Sequence, residues 1–221
     1  MKHITMAVAA FAVLAIGSAR AAEVTWPTAQ WRGPYVGVLG GASWGASRHT
    51  YENSPFDSGS FNVSGGLVGV SVGDDWQQGS WVFGLTGDIA ISGVGGTTPG
   101  TISACTTPCL TNLKWLGTAR VRAGYDFRTF APYLTGGLAI GGVESGDTGA
   151  PFIQTDTRTG WALGGGIDVP LRQGWSIDAD VLYVDFGSAN GYTYTSASAP
   201  DVVTLSTTIF EIALHKRLGS P

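Results

Sequence analysis

Few residues of this 221-residue chain carry a charge: Asp, Glu, Lys and Arg make up 13% of it, and its formal net charge is −4. An average soluble domain contains about 25% charged residues, so the composition is unlike that of a soluble protein with an ordinary charged surface. The acidic balance and the lack of a basic run argue against a nucleic-acid partner.

The N-terminus has the pattern of a secretory signal peptide. Lys2 and His3 precede an apolar stretch at 4–16, and an A-x-A cleavage motif ends at Ala21. We therefore expect residues 1–21 to be cleaved off, with an uncleaved N-terminal helical anchor as the alternative. Cleavage removes two of the 12 basic residues and none of the 16 acidic ones, so the mature chain would carry a charge of −6.

The mature chain contains no apolar run of the about 20 residues that a spanning helix requires, so any crossing of a bilayer would use strands. Eight segments alternate between apolar and polar residues in the manner typical of β-strands. They are 34–46, 62–73, 80–92, 113–126, 131–143, 158–170, 175–186 and 203–218.

The two faces of these segments differ in a way that fits lipid outside and charge inside. Between Trp175 and Tyr183 one face is apolar, whereas the other carries Ser176, Asp178 and Asp180. The fourth, sixth and eighth segments show the same split, and their apolar faces mix bulky residues with Gly and Ala. Such a mixture would leave gaps in a protein core but is harmless against lipid. We therefore expect the charged faces to meet inside a closed barrel.

The connections between the segments alternate in length. Three are short, near 74–79, 127–130 and 171–174, whereas the other four are long and rich in Gly, Ser, Thr, Asp and Pro. Outer-membrane barrels combine short periplasmic turns, longer external loops and an even number of strands. The sequence therefore predicts an all-β fold: a monomeric, eight-stranded, antiparallel up-and-down transmembrane β-barrel at 34–218. A periplasmic lead-in at 22–33 precedes it, and both termini are expected in the periplasm.

Aromatic residues at the segment ends fit this orientation. Interfacial Trp and Tyr residues concentrate at both membrane surfaces because each side chain joins an apolar ring to a polar group. Aromatic residues also favour strands in general, but here they cluster at strand ends and on the apolar face. The predicted girdles contain Trp81, Tyr125 and Trp175 on the periplasmic side and Trp115, Trp161 and Tyr183 on the external side.

Short motifs along the mature chain resemble those of the opacity-type outer-membrane proteins of alphaproteobacteria. They are Trp31, Gly33, Tyr35, Val36 and Gly37; Trp76, Gln77, Val82, Phe83, Gly84 and Asp88; Trp115-Leu116-Gly117-Thr118 with Arg120, Arg122, Gly124 and Tyr125; Pro132-Tyr133 with 135–139; Thr159-Gly160-Trp161; and 182–185 with Gly187. The resemblance implies an eight-stranded barrel similar to the transmembrane domain of OmpA, in proteins often described as outer-membrane immunogenic or porin-like.

The resemblance also implies a place in the outer membrane of a Gram-negative bacterium, among its lipids and lipopolysaccharide. Proteins of this kind usually end on an aromatic residue that the barrel assembly machinery recognises. Leu218 holds that position here, and 219–221 follow it. The assembly machinery is therefore an expected partner, although its usual signal is altered. The peptidoglycan-binding domain of full-length OmpA proteins has no counterpart in the sequence, so a cell-wall anchoring role is not expected.

The inward faces carry the main candidate site. An eight-stranded barrel is only wide enough for side chains to fill, so opposite charges in its lumen should pair. Paired charges would form a structural plug, since an unpaired buried charge is costly; a gate or a narrow ion path is the alternative. The predicted lumen network consists of Asp88, Arg120, Arg122, Arg158, Asp168, Asp178, Asp180, Glu211, His215 and Arg217.

Cys105 and Cys109 lie in the second long connection. Export of the protein favours a local disulfide between them that braces the loop, with metal binding or redox chemistry as the alternative. No further Cys and no nearby His completes a metal site, so neither a metal nor a cofactor is predicted.

These features predict a non-enzymatic protein with a structural, surface-exposed role, whose external loops are the expected contact surface for an extracellular ligand. A narrow porin-like channel for small solutes or ions is the first alternative. A lipid-modifying enzyme would need Ser and His within hydrogen-bond reach, but His49 lies in a loop, His215 faces the lumen and no G-x-S-x-G motif is present. A soluble ligand-binding barrel would need an apolar lumen and a charged exterior, which the face pattern opposes.

Overall fold

A computed structural model describes residues 31–51, 57–98, 107–148, 153–190 and 201–218. The predicted signal peptide at 1–21, its cleavage after Ala21 and most of the predicted lead-in lie outside the described residues. These expectations therefore stay predictions. Within the described residues, no helix is long and apolar enough to cross a membrane.

Eight antiparallel strands form a closed barrel, in which each strand pairs with the next and the last pairs with the first. The predicted fold class is confirmed. The strands are β1 Gly33–Tyr51, β2 Asp57–Gln78, β3 Trp81–Thr97, β4 Cys109–Tyr125, β5 Ala131–Asp147, β6 Ile153–Pro170, β7 Trp175–Asn190 and β8 Asp201–Arg217. Short turns join β2 to β3, β4 to β5 and β6 to β7. We call this end of the barrel the turn end and the opposite end the loop end.

The strands are longer at the loop end than the sequence predicts. β1 continues to Tyr51 instead of ending at residue 46, and its pairing with β8 runs on to Asp201. β6 likewise begins at Ile153 instead of residue 158. The Gly, Ser, Thr and Asp residues in these stretches suggest loops. Their backbone groups nevertheless pair in the antiparallel ladder, which does not depend on the side chains.

The outer surface of the barrel is apolar. Leu134, Leu138 and Ile91 project outward and are 74%, 71% and 70% exposed. A soluble protein rarely leaves so many large apolar side chains in contact with water, whereas a surface in contact with lipid requires them. The alternation of the strands therefore places apolar residues outside and charged residues inside, as predicted.

Glycines on the inner face allow neighbouring strands to approach closely. A Cβ atom at Gly164 of β6 would collide with the carbonyl oxygen of Val181 on β7, and a Cβ atom at Gly166 would collide with that of Ala179. The run of three glycines at 164–166 thus belongs to strand packing.

A bulge in β7 ends its pairing with β6. The register of β7 against β8 shifts between Asp185 and Ser188, and Gly187 has a φ of 61° that suits glycine. The Asp185 carboxylate accepts a hydrogen bond from the Gly187 N–H at 2.6 Å. The described ladder between β6 and β7 stops at Trp161 and Asp185, and β7 continues toward the loop end beside β8 alone.

The interior has two halves of opposite character. The half near the turn end contains ionisable side chains, which we call the charged layer: Asp75, Asp88, Arg120, Arg122, Asp168, Asp178, Asp180, Glu211, His215 and Arg217. The half near the loop end contains a cluster of buried apolar residues, which we call the apolar layer: Leu39, Phe61, Val63, Leu67, Ala90, Val94, Cys109, Leu113, Leu116, Ala139, Val143, Ala162, Leu182, Val184, Phe186, Leu205, Ile209 and Ala213.

The apolar layer differs from the sequence-based expectation, which placed charges in the lumen and apolar residues on the outside. The inner face of β7 shows why: Asp178 and Asp180 are followed at the same spacing by Leu182, Val184 and Phe186. Strand alternation fixes which residues point inward, but it does not require that all of them share one polarity. The inner face therefore changes from charged to apolar along a single strand.

Candidate functional site: the charged layer

Arg120 binds one carboxylate on the neighbouring strand and another across the lumen. Its guanidinium forms ion pairs with Asp88 at 2.6 Å and with Asp180 at 3.1 Å. The Thr118 hydroxyl donates a second hydrogen bond to Asp88 at 2.7 Å. Arg120 and Asp180 are almost completely buried, so these bonds are shielded from water and connect β3, β4 and β7.

Arg122 forms a second centre nearer the turn end. It donates two hydrogen bonds to Asp75, at 2.8 and 2.5 Å, and a weaker one to Asp168 at 3.3 Å. Arg217 also contacts Asp75, at 3.0 Å. The Arg122 guanidinium lies 5.4 Å from the ring centre of Tyr35 and 5.2 Å from that of Tyr133, which adds cation–π attraction.

Three charged-layer residues form no ion pair within the described residues. Asp178 accepts a hydrogen bond from the Tyr133 hydroxyl at 2.9 Å, and Glu211 has neither a hydrogen bond nor an ion pair there. His215 contacts the Ser71 hydroxyl through Nε2 at 3.0 Å and packs on the Tyr35 ring. The layer therefore consists of two paired centres with additional carboxylates beside them.

Arg158 lies apart from the charged layer. It is buried near the loop end, where it donates a hydrogen bond to the Val203 carbonyl at 2.6 Å. Asp168 lies ten residues further along the same strand, a distance of roughly 33 Å at the usual rise of a β-strand. The two residues share a face and a lumen, but they cannot belong to one contact network.

Three residues of the site were not predicted from the sequence. Asp75 accepts hydrogen bonds from two arginines, yet it was placed in a turn because the predicted strand ended at residue 73. The alternation Ser71, Gly73, Asp75 carries the missing signal, since all three lie on one face. Tyr35 and Tyr133 also point inward, and their aromatic character had concealed a polar role.

The turn end of the lumen is covered by Trp31. This residue is 2% exposed, packs with Val82 and Ala131, and donates its backbone N–H to the Gln77 side chain at 3.0 Å. The Arg217 guanidinium lies 5.3 Å from the centre of its ring. Part of the predicted lead-in thus closes the barrel instead of merely preceding it.

The six residues of the predicted girdles lie on the outer surface. Trp81 and Tyr125 meet edge to face near the turn end, with ring centres 5.4 Å apart. Trp161 and Tyr183 pack together toward the loop end, also with ring centres 5.4 Å apart but with their rings tilted by 51°. Trp175 lies at the start of β7 with Lys216 over its ring at 5.4 Å, and Trp115 is half-buried. Their function as membrane girdles stays a prediction.

The cysteine and metal predictions concern the loop end. Cys109 is fully buried and takes part in a disulfide, but Cys105 lies outside the described residues. The pairing of these two cysteines therefore stays a prediction. In the part of the chain that the structure describes, no three His, Cys, Asp or Glu side chains converge as a metal site would require.

Comparison with known proteins places the chain in a family. Residues 9–210 match the outer membrane protein beta-barrel domain. The chain is 34% identical over 203 residues to the 31 kDa outer-membrane immunogenic protein of Brucella melitensis. This alignment covers 84% of the present chain and 83% of the relative. It is 30% identical to the 22 kDa outer membrane protein of Rhizobium leguminosarum, over 73% and 67% of the two chains.

Among solved structures, the outer membrane protein OprG of Pseudomonas aeruginosa is similar with a TM-score of 0.47 and 12% identity. The similarity covers 86% of this chain and 99% of that one. The family match covers most of the sequence, including all eight strands except the end of β8. This chain therefore belongs to the outer membrane protein beta-barrel domain family, and it is a β-barrel of the Gram-negative outer membrane.

Proposed function

We propose that the protein has a structural, surface-exposed role in the outer membrane and that its lumen is closed. The filled interior is the observation that carries this proposal. Arginine–carboxylate pairs occupy the half near the turn end and apolar side chains occupy the half near the loop end. Two cavities inside the described barrel each have a volume of about 10 Å³, which is room for about one water molecule.

Both halves oppose the passage of solutes, for different reasons. In the charged layer, a passing solute would have to separate buried ion pairs such as Arg122–Asp75. In the apolar layer, an ion would lose its hydration without gaining a polar contact. A narrow porin-like channel, the second candidate, would require both halves to rearrange together.

The outer surface supports the partners that we propose. The apolar band would contact membrane lipids and, in the outer leaflet, lipopolysaccharide. The closed barrel has no free edge along most of its height, so a monomer is sufficient. The external loops would supply any contact with an extracellular ligand, and insertion would depend on the barrel assembly machinery. The acidic chain offers nothing for nucleic acid.

An enzymatic role is the weaker alternative. A serine and a histidine do meet, since Ser71 and His215 are 3.0 Å apart. They lie inside the lumen, where they are only 5% and 6% exposed and are enclosed by Tyr35 and the charged layer. A lipid substrate would need a path to this pair. We therefore assign Ser71 and His215 to packing of the interior.

Electrical recording of the refolded protein in planar lipid bilayers would test the closed lumen. We expect no steady conductance from the unaltered protein. The variant Arg122→Ala, which removes the pairing of Asp75 and Asp168, should show brief openings at most because the apolar layer remains. A steady conductance of the unaltered barrel would contradict the proposal and favour the porin-like function.

A further inference from the structure

The charged layer contains more negative than positive groups. Its carboxylates are Asp75, Asp88, Asp168, Asp178, Asp180 and Glu211, and its arginines are Arg120, Arg122 and Arg217. Six carboxylates thus face three arginines. His215 does not pair with any of these carboxylates, because its Nε2 forms a hydrogen bond with the Ser71 hydroxyl. A buried carboxylate that lacks a positive partner is costly, so the excess calls for compensation by a bound proton or by a bound cation.

Part of the excess lies around one small cavity. Its wall includes the carboxylates of Asp88, Asp178, Asp180 and Glu211 but only two arginines, and its volume is about 10 Å³. A space of this size holds one water molecule or one ion of similar size.

Two buried oxygen atoms at this cavity have no partner among the described residues. The Tyr133 hydroxyl contacts Asp178 Oδ1 at 2.9 Å and Asp180 Oδ2 at 3.3 Å, which holds the two carboxylates side by side. The other oxygen of each, Asp178 Oδ2 and Asp180 Oδ1, is buried and forms no hydrogen bond. Each residue is 3% exposed, so bulk water cannot satisfy these atoms.

The chemistry of the wall selects the kind of ligand. Carboxylate and hydroxyl oxygens are ligands for hard cations, and Thr86 and Thr135 add two hydroxyl groups to the wall. Although four acidic residues line the cavity, no three His, Cys, Asp or Glu side chains among the described residues are arranged to hold one metal ion together, as a divalent ion would favour. We propose that this cavity binds one monovalent metal cation, Na⁺ or K⁺, between Asp178 Oδ2 and Asp180 Oδ1. The site rests on the closed lumen proposed above, because an open pore would hydrate these oxygens.

Unfolding of the refolded barrel in phosphatidylcholine vesicles tests this site. The urea midpoint, followed by tryptophan fluorescence, would be measured in NaCl, KCl and choline chloride at equal ionic strength. A ligand that binds only the folded state raises stability with the logarithm of its concentration above the dissociation constant. We expect that increase in NaCl or KCl and none in choline chloride, because choline is too large for the cavity.

Two substitutions separate the site from general salt effects. Asp178→Asn should abolish the difference between NaCl and choline chloride. It should also raise the midpoint in choline chloride, since it removes an uncompensated buried charge. Asp74→Asn, on the adjoining outer face of β2, is the matched control and should keep the full difference. Equal midpoints of the unaltered protein in NaCl, KCl and choline chloride, or a salt difference that persists in Asp178→Asn, would overturn the proposal.

Two further measurements complete the test. Broadening of the ²³Na resonance by the unaltered folded protein, reversed by KCl but not by choline chloride, would support the site without any substitution. A larger midpoint shift in MgCl₂ than in NaCl at equal ionic strength would overturn the assignment to a monovalent ion. An open lumen would be distinguished from a missing cation site, because an open lumen would give a steady conductance in the bilayer recordings described above.

Discussion

The two halves of the lumen solve the same packing problem with different chemistry. Near the turn end, long side chains meet through charge-assisted hydrogen bonds, as Arg120 does with Asp180 across the lumen and with Asp88 on the neighbouring strand. Toward the outside, residues such as Ile209 and Val184 fill the space through close packing and are fully buried. The backbone and the alternation are the same in both halves, so side-chain chemistry alone makes the difference.

The two halves should therefore respond differently to substitution. An apolar contact that is lost leaves a cavity, with a cost that depends on the volume removed. A charged contact that is lost leaves a buried ion without a partner, with a cost that depends on what remains. A second substitution should therefore rescue the charged half but not the apolar half.

The largest effect is expected for Arg122→Ala. The substitution leaves Asp75 and Asp168 without their guanidinium partner in a closed interior, so it should lower the free energy of unfolding by about 3 to 5 kcal/mol. Urea unfolding in lipid vesicles would measure the loss. The double variant Arg122→Ala with Asp75→Asn should recover part of it, and strict additivity of the two losses would show that the pair is not coupled.

Ile209→Ala tests the apolar half. Ile209 is 0% exposed in the apolar layer, and its truncation should cost about 2 to 5 kcal/mol. The same unfolding assay applies. Ile212→Ala, on the lipid face of the same strand and 51% exposed, is the matched control and should cost clearly less. Equal losses would mean that the apolar layer is loosely packed.

Leu163→Arg distinguishes the outer surface from both halves of the lumen. Leu163 projects outward and is 59% exposed, so an arginine here would enter the bilayer at a cost of about 2 to 4 kcal/mol. Thr159→Arg places the same side chain on the same face of β6, beyond Trp161, and should cost little. Refolding yield and urea midpoint would measure both variants. A penalty at Thr159 equal to that at Leu163 would contradict the predicted external girdle.

The smallest effect is expected for Arg48→Ala, near the loop end of β1. Arg48 donates hydrogen bonds to Asp57, which lower the pKa of that carboxyl below its usual value. A lowered pKa in the folded state means that the bond stabilises the protein above about pH 3.9 and is lost on further acidification. Both side chains face water, which screens the pair, so the variant should lower the urea midpoint at pH 7 only slightly. A large decrease of the urea midpoint at pH 7 would show that Arg48 and Asp57 are less solvated than their exposure indicates.

Some features of the site could be read directly from the sequence. The inward positions of Arg120, Arg122, Asp178 and Asp180 followed from strand alternation, which depends on nothing beyond local geometry. Other features could not be read in this way. Asp75 was not predicted because amino-acid composition locates the end of a strand poorly. The separation of Arg158 from the charged layer was not predicted because strand alternation shows which face a residue is on, but not its position along the barrel axis.

The eight alternating strands and the apolar surface toward the lipid can be predicted from the sequence alone, because both depend on residues that are close neighbours in the chain. Closure of the barrel pairs β1 with β8, so it was inferred from the number of strands and the lengths of the connections. Which charges meet is fixed by the three-dimensional arrangement of the strands. Arg217 and Asp75 are separated by 142 positions, and Arg120 and Asp180 by 60. Their contacts depend on the stagger of the strands around the barrel, which sets the height of each side chain and which no local pattern encodes.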